Sequence, residues 1–272
     1  MYTISKLFVY PIKSLPGLPV DSLEIDELGP KQDRQMMLVD AESGVFVSQR
    51  TLPLMSQFYL SDLGESWRVR FESHEVDFVK PNYAQCTESI TVRVWDDEME
   101  AQLMPATISD WFSERLGRAL KLVYLHEDTI RQVDMDYAKA GDRTAFSDGF
   151  PLLVLSEMSL QDLSLKLGVE MVPERFRPNI LVAGCPAYEE DRWVHFSTEN
   201  MKFDAVKPCS RCVVPSIDPA NGVKQKEVMT GLVAHRKMGK GVYLGQNAIH
   251  RSKGFIRVGD RLDVVLGEHE YG

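Results

Sequence analysis

The sequence predicts an α+β fold dominated by β-strands, in which an N-terminal β-barrel-like domain is followed by a second β-barrel domain with a few helices. Short apolar stretches, several alternating with polar residues, recur between turn residues through the first 100 positions. That pattern is typical of an antiparallel sheet that curls into a barrel or sandwich. Only two segments have helical periodicity, and no regular strand–helix–strand alternation is present, which disfavours a doubly wound parallel sheet.

The predicted strands are short and are bounded by turn residues. Pro11 ends the first strand, and the turn Glu42-Ser43-Gly44 separates the second from the third. In the first half the strands are 7–10, 36–39, 45–47, 58–60, 67–71 and 90–95. In the second half they are 179–182, 193–196, 213–214, 242–244, 254–258 and 262–266, with Gly259-Asp260 as a turn.

Two segments, 108–120 and 160–167, carry apolar residues at helical spacing. Candidate caps are Thr107 or Ser109 for the first and Ser156 or Ser159 for the second, with Gly168 just past the end of the second. The stretch 126–148 is charged and lacks periodicity, as a linker would be. We therefore predict domains at 1–122 and 123–272.

Composition excludes several classes of protein. The net charge of −9 disfavours a non-specific binder of nucleic acid polymers, which needs an excess of basic residues. Four cysteines in 272 residues are too few for a disulfide scaffold. The N-terminus has no signal-peptide pattern, and no window approaches the roughly 18 apolar residues of a membrane span. We therefore predict a cytoplasmic location and no membrane span.

The segment KPCSRCVVPSIDPANG at 207–222 places two cysteines close together. A zinc site would need about four ligands, and Cys86 and Cys185 are single and distant. A redox-active cysteine pair usually lies at the N-terminus of a helix, whereas Val213-Val214-Pro215 predicts a short strand that ends at the proline. A third interpretation is that the two cysteines are simply small buried residues without a chemical role. The fourth is a thiolate ligand for a metal that arrives within a cofactor.

The fourth reading requires cations and hydrogen-bond donors for the anionic parts of such a cofactor. The sequence offers them in several places: Lys13 and Ser14 after a strand, Arg34, the segment Arg175-Phe176-Arg177-Pro178-Asn179, and Arg211 beside the thiols. These are the donors that a phosphate-bearing heterocycle prefers. Spacing alone does not join these segments into one site.

Ordered motifs along nearly the whole chain carry a family resemblance. They are YPIKSLPG at 10–17, DRQMMLVD at 33–40, FVSQRTLP at 46–53, TVRVWDD at 91–97, SDGFPLLVLSEMSLQDL at 147–163, RFRPNI at 175–180, EEDRW at 189–193, KPCSRC at 207–212, VYLGQN at 242–247 and IRVGD at 256–260. The chain resembles MOSC-domain proteins that begin with a MOSC N-terminal β-barrel domain. Within them it is similar to the mitochondrial amidoxime-reducing component and its bacterial relatives, which reduce N-hydroxylated compounds at a molybdenum cofactor.

The resemblance implies the site residues. It assigns the molybdenum ligand to Cys212, and places Ser210 and Arg211 beside the cofactor. Other implied cofactor contacts are Lys13, Ser14, Arg34, Ser147, Asp148, Arg177, Asn179 and, with Gln246 before it, Asn247. The mitochondrial members carry a tyrosine where this chain has Asn247. Cys212 and Asp148 are the implied catalytic residues, with Asp148 or a metal-bound water as the proton donor.

The implied reaction is the two-electron reduction of an N–OH substrate at molybdenum–molybdopterin, the cofactor that supplies the difficult chemistry. Several bacterial relatives carry a C-terminal ferredoxin-like domain with four cluster cysteines, which this sequence does not contain. The expected electron donor is therefore a separate protein of the ferredoxin, flavin or haem type.

Two other classes stay open at this point. A non-catalytic carrier, or a sulfur-handling protein for the cofactor, would use the same fold. The association of some MOSC domains with pyridoxal-phosphate enzymes suggests pyridoxal phosphate binding, although no lysine in the sequence requires it. A zinc or interaction protein is the third class, and metal analysis separates it from the others.

Overall fold

The computed structural model describes residues 1–81, 88–126 and 128–269. It confirms the strand-rich α+β class. Cys86, considered above as a metal ligand, lies outside the described residues. The strands of the first half are β1 (Tyr2–Val9), β2 (Leu18–Val20), β3 (Ser22–Asp26), β4 (Gly29–Pro30), β5 (Met36–Asp40), β6 (Tyr59–Asp62), β7 (Ser66–Phe71), β8 (His74–Val79), β9 (Ser89–Val94), β10 (Asp97–Leu103) and β11 (Leu120–Tyr124).

The strands of the second half are β12 (Leu152–Ser156), β13 (Ile180–Ala183), β14 (Trp193–Ser197), β15 (Lys202–Ser210), β16 (Lys237–Met238), β17 (Gly241–His250), β18 (Gly254–Arg257) and β19 (Arg261–Leu266). The α-helices are α1 (Ala106–Leu116), α2 (Glu157–Leu167), α3 (Pro173–Phe176) and α4 (Lys226–Arg236). None of the helices in the described ranges combines the length and hydrophobicity that crossing a bilayer requires.

A closed barrel forms the centre of the second half. Its strands follow the order β12-β13-β1-β19-β14-β15-β17, and β17 pairs with β12 to close the ring. The pair β12–β13 is parallel, with α2 and α3 in the connection between them. One strand–helix–strand unit is therefore present, because α2 returns the chain to the same end of the sheet, and the sheet is not doubly wound.

Strand β1 belongs to this barrel although it begins the chain. It pairs with β13 through Leu7 and Ile180, and with β19 through Tyr2 and Leu262. Its apolar side chains pack in the same core as Trp193 and residues of the other barrel strands. The boundary at 122/123 stays a prediction, and in space residues 2–9 lie with the second half.

Strands β5 to β11 of the first half form two antiparallel sheets, β5-β11-β10-β9 and β6-β7-β8. Helix α1 lies against them and buries Ile108 and Phe112 in a core that includes Phe58 and Trp67. Burying each such side chain contributes about 1.5–3 kcal/mol, so this half has its own hydrophobic core. The helix ends at Gly117, which adopts the left-handed conformation.

Some local predictions are confirmed and others are wrong. Ser156 caps α2, and Gly168 ends it in the left-handed conformation, as predicted. The predicted caps of α1 are wrong, because the helix begins after Pro105 without a side-chain cap. Residues 213–214 are not a strand, since Val214–Ser216 forms a 3-10 turn that Pro215 favours. Helix α4 was missed, although Val228 and Leu232 on its buried side lie four residues apart.

Candidate functional site

A cleft of about 290 Å³ lies where the first half of the chain meets the barrel. Its walls come from the loop after β1, the loop after β4, the segment before β12, the α3–β13 junction and the end of β15. Every residue of the predicted site lines this cleft except Gln246, whose side chain is fully buried. Segments that are more than 100 residues apart in sequence are thus brought together.

Residues 209–212, which we call the cysteine loop, comprise the last two residues of β15 and the two that follow it. Both Cys209 and Cys212 line the cleft, and both are partly exposed. Burial raises the pKa of the Cys209 thiol, with the nearby Arg211 charge acting in the opposite direction. Ser210 is exposed at the cleft wall. The loop therefore presents two sulfur atoms with different surroundings.

Arg211 fixes this loop to the barrel. Its backbone N–H donates to the Val242 carbonyl at 2.7 Å, and its Nε donates to the Leu244 carbonyl at 2.9 Å. Its Nη1 donates to the Phe176 carbonyl at 3.0 Å. The guanidinium thus binds backbone carbonyls of two elements, so that its first role is to position the residue that follows it, Cys212.

Lys13 and Asp148 form an ion pair across the cleft. Lys13 Nζ lies 2.5 Å from Asp148 Oδ1 and donates to the Phe146 carbonyl at 2.7 Å. Burial lowers the pKa of Lys13 to about 8, although the Asp148 charge opposes that shift. Arg50 approaches the second oxygen of Asp148 at 3.6 Å.

The surroundings of Asp148 determine its charge. Partial desolvation would raise the pKa of this carboxyl group, but Lys13, Arg50 and Arg34 outweigh that effect and hold the pKa well below its usual range. Asp148 is therefore ionised at neutral pH. This argues against the role of proton donor that the sequence suggested for Asp148, because an ionised carboxylate only accepts.

Arg34 and Arg177 lie together against one aromatic ring. Their guanidinium carbons are 4.5 and 4.3 Å from the centroid of Tyr10, at cation–π distance. Arg34 Nη1 lies 2.5 Å from an oxygen of Asp33, and Arg34 Nη2 donates to the Arg177 carbonyl at 3.1 Å. Burial, together with the Arg34 charge, lowers the pKa of Arg177 to about 10. Two like charges are thus held side by side, which an anion would stabilise.

Three cleft residues have unusual backbone conformations. Ser14, Arg34 and Arg177 have φ values of 69°, 50° and 59°, in the left-handed region that non-glycine residues rarely adopt. Neighbouring contacts hold them there, since Gln49 Nε2 donates to the Ser14 carbonyl at 2.7 Å and Arg177 Nη1 donates to the Leu15 carbonyl at 2.7 Å. Strained backbone of this kind concentrates at functional sites, where the surrounding structure supports it.

Asn179 joins the two halves beneath the cleft. Its side chain is fully buried, its Nδ2 donates to Asp33 Oδ1 at 3.0 Å, and its Oδ1 accepts from the Leu153 N–H at 3.2 Å. It also accepts from Arg34 Nη1 at 3.2 Å. Both the nitrogen and the oxygen of the side-chain amide form hydrogen bonds with protein groups, so the main role of Asn179 in this structure is to hold the cleft walls together.

Removing this amide should destabilise the protein. We expect Asn179→Ala to lower the free energy of unfolding by about 2–4 kcal/mol, because it removes the side-chain acceptor of the buried Leu153 N–H and one of the two hydrogen bonds to Asp33 Oδ1. Urea unfolding followed by fluorescence measures the loss. Asn200→Ala, at an exposed position, is the matched control and should leave stability unchanged. Equal stability of the two variants would contradict the structural role.

The remaining predicted residues, Ser147, Asn247 and Gln246, face the cleft less directly than those described above. Ser147 is buried, and its Oγ lies 2.6 Å from the Thr144 hydroxyl. Asn247 lies on β17 and pairs in register with Leu153. Gln246 has no hydrogen-bond partner for either amide atom within the described residues.

Several cleft residues were not predicted from the sequence. Arg50, Phe150, Lys207 and Cys209 all line it. Arg50 and Phe150 lie within motifs that carried the resemblance, FVSQRTLP and SDGFP, so the signal was present without an assigned role. Lys207 Nζ lies 4.0 Å from the centroid of the Tyr137 ring, a contact between distant segments that no local pattern indicates.

The donor set fits a sulfur-ligated, anionic cofactor. Arg177 Nη2 is buried without a hydrogen-bond partner among the described residues, while its other nitrogen Nη1 is bound to a carbonyl. An unpaired buried guanidinium nitrogen is costly and favours an anionic acceptor. A thiol at the same cleft suits a soft metal. In the described part of the chain, no group of three or more His, Cys, Asp and Glu side chains is arranged to hold a metal ion.

Comparison with known proteins agrees with the strand-rich fold. Residues 1–119 match the MOSC N-terminal beta barrel domain, and residues 141–263 match the MOSC domain. The chain belongs to the family that combines these two domains.

Particular relatives extend over nearly the whole chain. Mitochondrial amidoxime-reducing component 1 of Homo sapiens is 29% identical over 284 residues, which cover 98% of this chain and 83% of that protein. Mitochondrial amidoxime reducing component 2 of Homo sapiens is 28% identical over 244 residues, which cover 86% of this chain and 72% of that protein. The crystal structure of the YUAD protein from Bacillus subtilis aligns with a TM-score of 0.46 at 12% identity, and the alignment covers 97% of this chain and 96% of that structure.

Proposed function

We propose that this protein is a molybdenum-cofactor-dependent reductase of N-hydroxylated compounds such as amidoximes and N-hydroxylated bases. The observation that carries the proposal is the cleft itself, in which the Cys212 thiol and the cations Lys13, Arg34 and Arg177 line one cavity. The similarity to amidoxime-reducing components supports the reaction class.

Each side chain has a physical role in this proposal. Cys212 would be the thiolate ligand of the metal, held in place by Arg211. Arg34 and Arg177 would bind the phosphate and the polar edge of the pterin, since arginine presents several donors to an oxyanion. Lys13 would add a positive charge that depends on pH. When bound, the cofactor supplies the two-electron redox chemistry.

The overall reaction consumes two electrons and two protons. For an amidoxime, R–C(=N–OH)–NH₂ + 2 e⁻ + 2 H⁺ gives R–C(=NH)–NH₂ + H₂O. One N–O bond breaks, and the oxygen leaves as water. A separate redox protein supplies the electrons in this proposal.

The protein itself can handle one of the protons. Lys13 Nζ is a proton donor whose pKa lies near 8, and Asp148 holds it by an ion pair at 2.5 Å. A group with a pKa near the working pH is well suited to proton transfer. We therefore assign proton delivery at the cleft to Lys13 and its positioning to Asp148.

The pKa of Lys13 predicts a pH dependence. Above about pH 8 the ammonium loses its proton, so the cleft loses one positive charge and should retain its anionic cofactor less well. We expect molybdenum retention during gel filtration to decline from pH 7 to pH 9.5. Lys13→Arg, which stays charged over this range, should remove the decline. A wild-type profile that is flat across pH 8 would contradict this prediction.

The test is metal analysis and turnover of protein made in a host that synthesises the cofactor. We expect molybdenum near one per chain, and reduction of benzamidoxime to benzamidine with reduced methyl viologen as the electron source. Molybdenum without turnover would indicate a carrier instead of a reductase. Zinc in place of molybdenum would reject both classes.

A further inference from the structure

Charge is unevenly distributed along the sequence. Residues 207–253 contain nine Lys and Arg but two Asp and Glu, a net charge of +7, whereas the whole chain carries −9. The other residues therefore carry −16. The basic segment includes the cysteine loop, so the positive region and the proposed metal ligand share one part of the fold.

Helix α4 presents part of this charge to solvent on one face. Lys226, Thr230 and Val233 are exposed, and their spacing of three to four residues aligns them along one side of the helix; Lys237, directly after the helix, is exposed as well. The opposite side is buried through Val228 and Leu232. The following turn adds Lys240 and the preceding loop adds Lys224, both exposed. We call Lys224, Lys226, Lys237 and Lys240 the lysine surface.

The elements that carry the lysine surface contact the cysteine loop directly. Helix α4 packs against the turn Val214–Ser216, which begins two residues after Cys212. The hairpin β16–β17, which contains Lys240, bonds the loop through the Arg211 N–H and the Val242 carbonyl at 2.7 Å. Arg236 anchors the helix to the barrel by an ion pair with Asp191 at 2.6 Å. The lysine surface is therefore built on elements next to the proposed metal ligand.

The charges of this surface lack internal partners. No ion pair within the described residues involves its four lysines, whereas Arg68 pairs with Asp77 and Lys80 with Asp62. Apolar side chains lie among them: Val213, Val223 and Val233 are 46%, 59% and 45% exposed. Unpaired like charges with interspersed apolar groups are suited to a complementary protein surface of opposite sign.

We infer that the lysine surface is the docking site for an acidic electron-transfer protein that reduces the cofactor at Cys212. This inference rests on the proposed function and adds the partner's charge and its place of contact. Transient redox complexes bury less than about 1,200 Å² and depend on electrostatic steering, which an unpaired lysine group provides. A one-electron carrier docks twice per turnover, and two oxidised carriers leave for each N–O bond reduced.

The experiment compares two charge-reversal variants of equal net charge. Lys226→Glu/Lys237→Glu alters the lysine surface, and Lys6→Glu/Lys202→Glu alters two exposed lysines on the barrel strands β1 and β15. The probe is a plant-type [2Fe–2S] ferredoxin with a net negative charge. Its binding is titrated at low and high salt, and its ability to drive benzamidoxime reduction is measured beside that of reduced methyl viologen.

We expect the first variant to lower ferredoxin affinity and ferredoxin-driven kcat/KM by at least about tenfold at low salt, with a smaller difference at high salt. Its viologen-driven turnover should be unchanged, and the second variant should behave as wild type. Equal losses in both variants, or no loss in the first, would overturn the inference. So would tighter binding of phosphatidylserine vesicles than of ferredoxin, lost in the first variant, since the surface would then bind anionic lipid.

The binding titration keeps the two hypotheses separate. Absence of viologen-driven turnover in molybdenum-loaded wild type would reject the proposed function. The affinity difference between the variants would still report on the lysine surface. Normal viologen turnover combined with unchanged ferredoxin binding would reject the docking site alone.

Discussion

Cys212→Ala should lose reductase activity by more than about 100-fold, because changes to residues that merely orient a metal ligand already cost about 10–100-fold. Alanine removes the sulfur while leaving the Arg211 contacts that shape the loop. In the proposed function, the remaining cations of the cleft would still hold the pterin phosphate. We therefore expect an inactive protein that retains part of its molybdenum.

The matched control is Cys209→Ala, which removes the other thiol of the same loop. Cys209 lines the same cleft, and burial raises its pKa, which disfavours the thiolate that a metal requires. This variant should keep most of the activity. Full activity in Cys212→Ala at wild-type molybdenum content, or loss in Cys209→Ala alone, would move the ligand assignment to the other sulfur.

The second large effect is expected for Arg177→Gln. The substitution removes a buried positive charge whose Nη2 has no hydrogen-bond partner in the described structure. Since charge-assisted hydrogen bonds to phosphate are the strongest contacts available at the cleft, we expect molybdenum per chain after desalting to fall at least about tenfold. Elemental analysis of purified protein measures this ratio.

Arg68→Gln serves as the control for this loss. Arg68 is exposed and pairs with Asp77 at 2.7 Å on the sheet β6-β7-β8, away from the residues that line the cleft. Its replacement should leave molybdenum content unchanged. Wild-type molybdenum content in Arg177→Gln together with lowered thermal stability would show that the guanidinium serves the protein backbone, through its hydrogen bond to the Leu15 carbonyl, and not an anion.

The fold class could be predicted because it depends on local patterns. Alternating strands and the Ser156–Gly168 helix signals are readable within a few residues, and both are present in the structure. The barrel order could not be predicted, since β1 pairs with strands nearly 180 and 260 residues further along the chain. Periodicity records which face of a strand is buried, but not which strand lies beside it.

For the cleft, the identity of several residues could be predicted from the sequence, but the direction of their side chains could not. Lys13, Arg34 and Arg177 were identified through motifs, and the structure lines one cavity with them. The direction of each side chain was not readable from sequence. Arg211 donates hydrogen bonds to the carbonyls of Leu244 and Phe176. Cations from distant segments lower the pKa of Asp148 and keep its carboxyl group ionised. Such details depend on long-range packing that a motif does not encode.

The position of the first strand has a consequence for synthesis. Because Tyr2–Val9 needs both Ile180–Ala183 and Arg261–Leu266 as neighbours, a growing polypeptide cannot complete the ring until Arg261–Leu266 has left the ribosome. Contacts so distant in sequence slow folding. The sheet that contains Met36–Asp40 can therefore form earlier during translation, while the cleft takes shape only after the ring has closed.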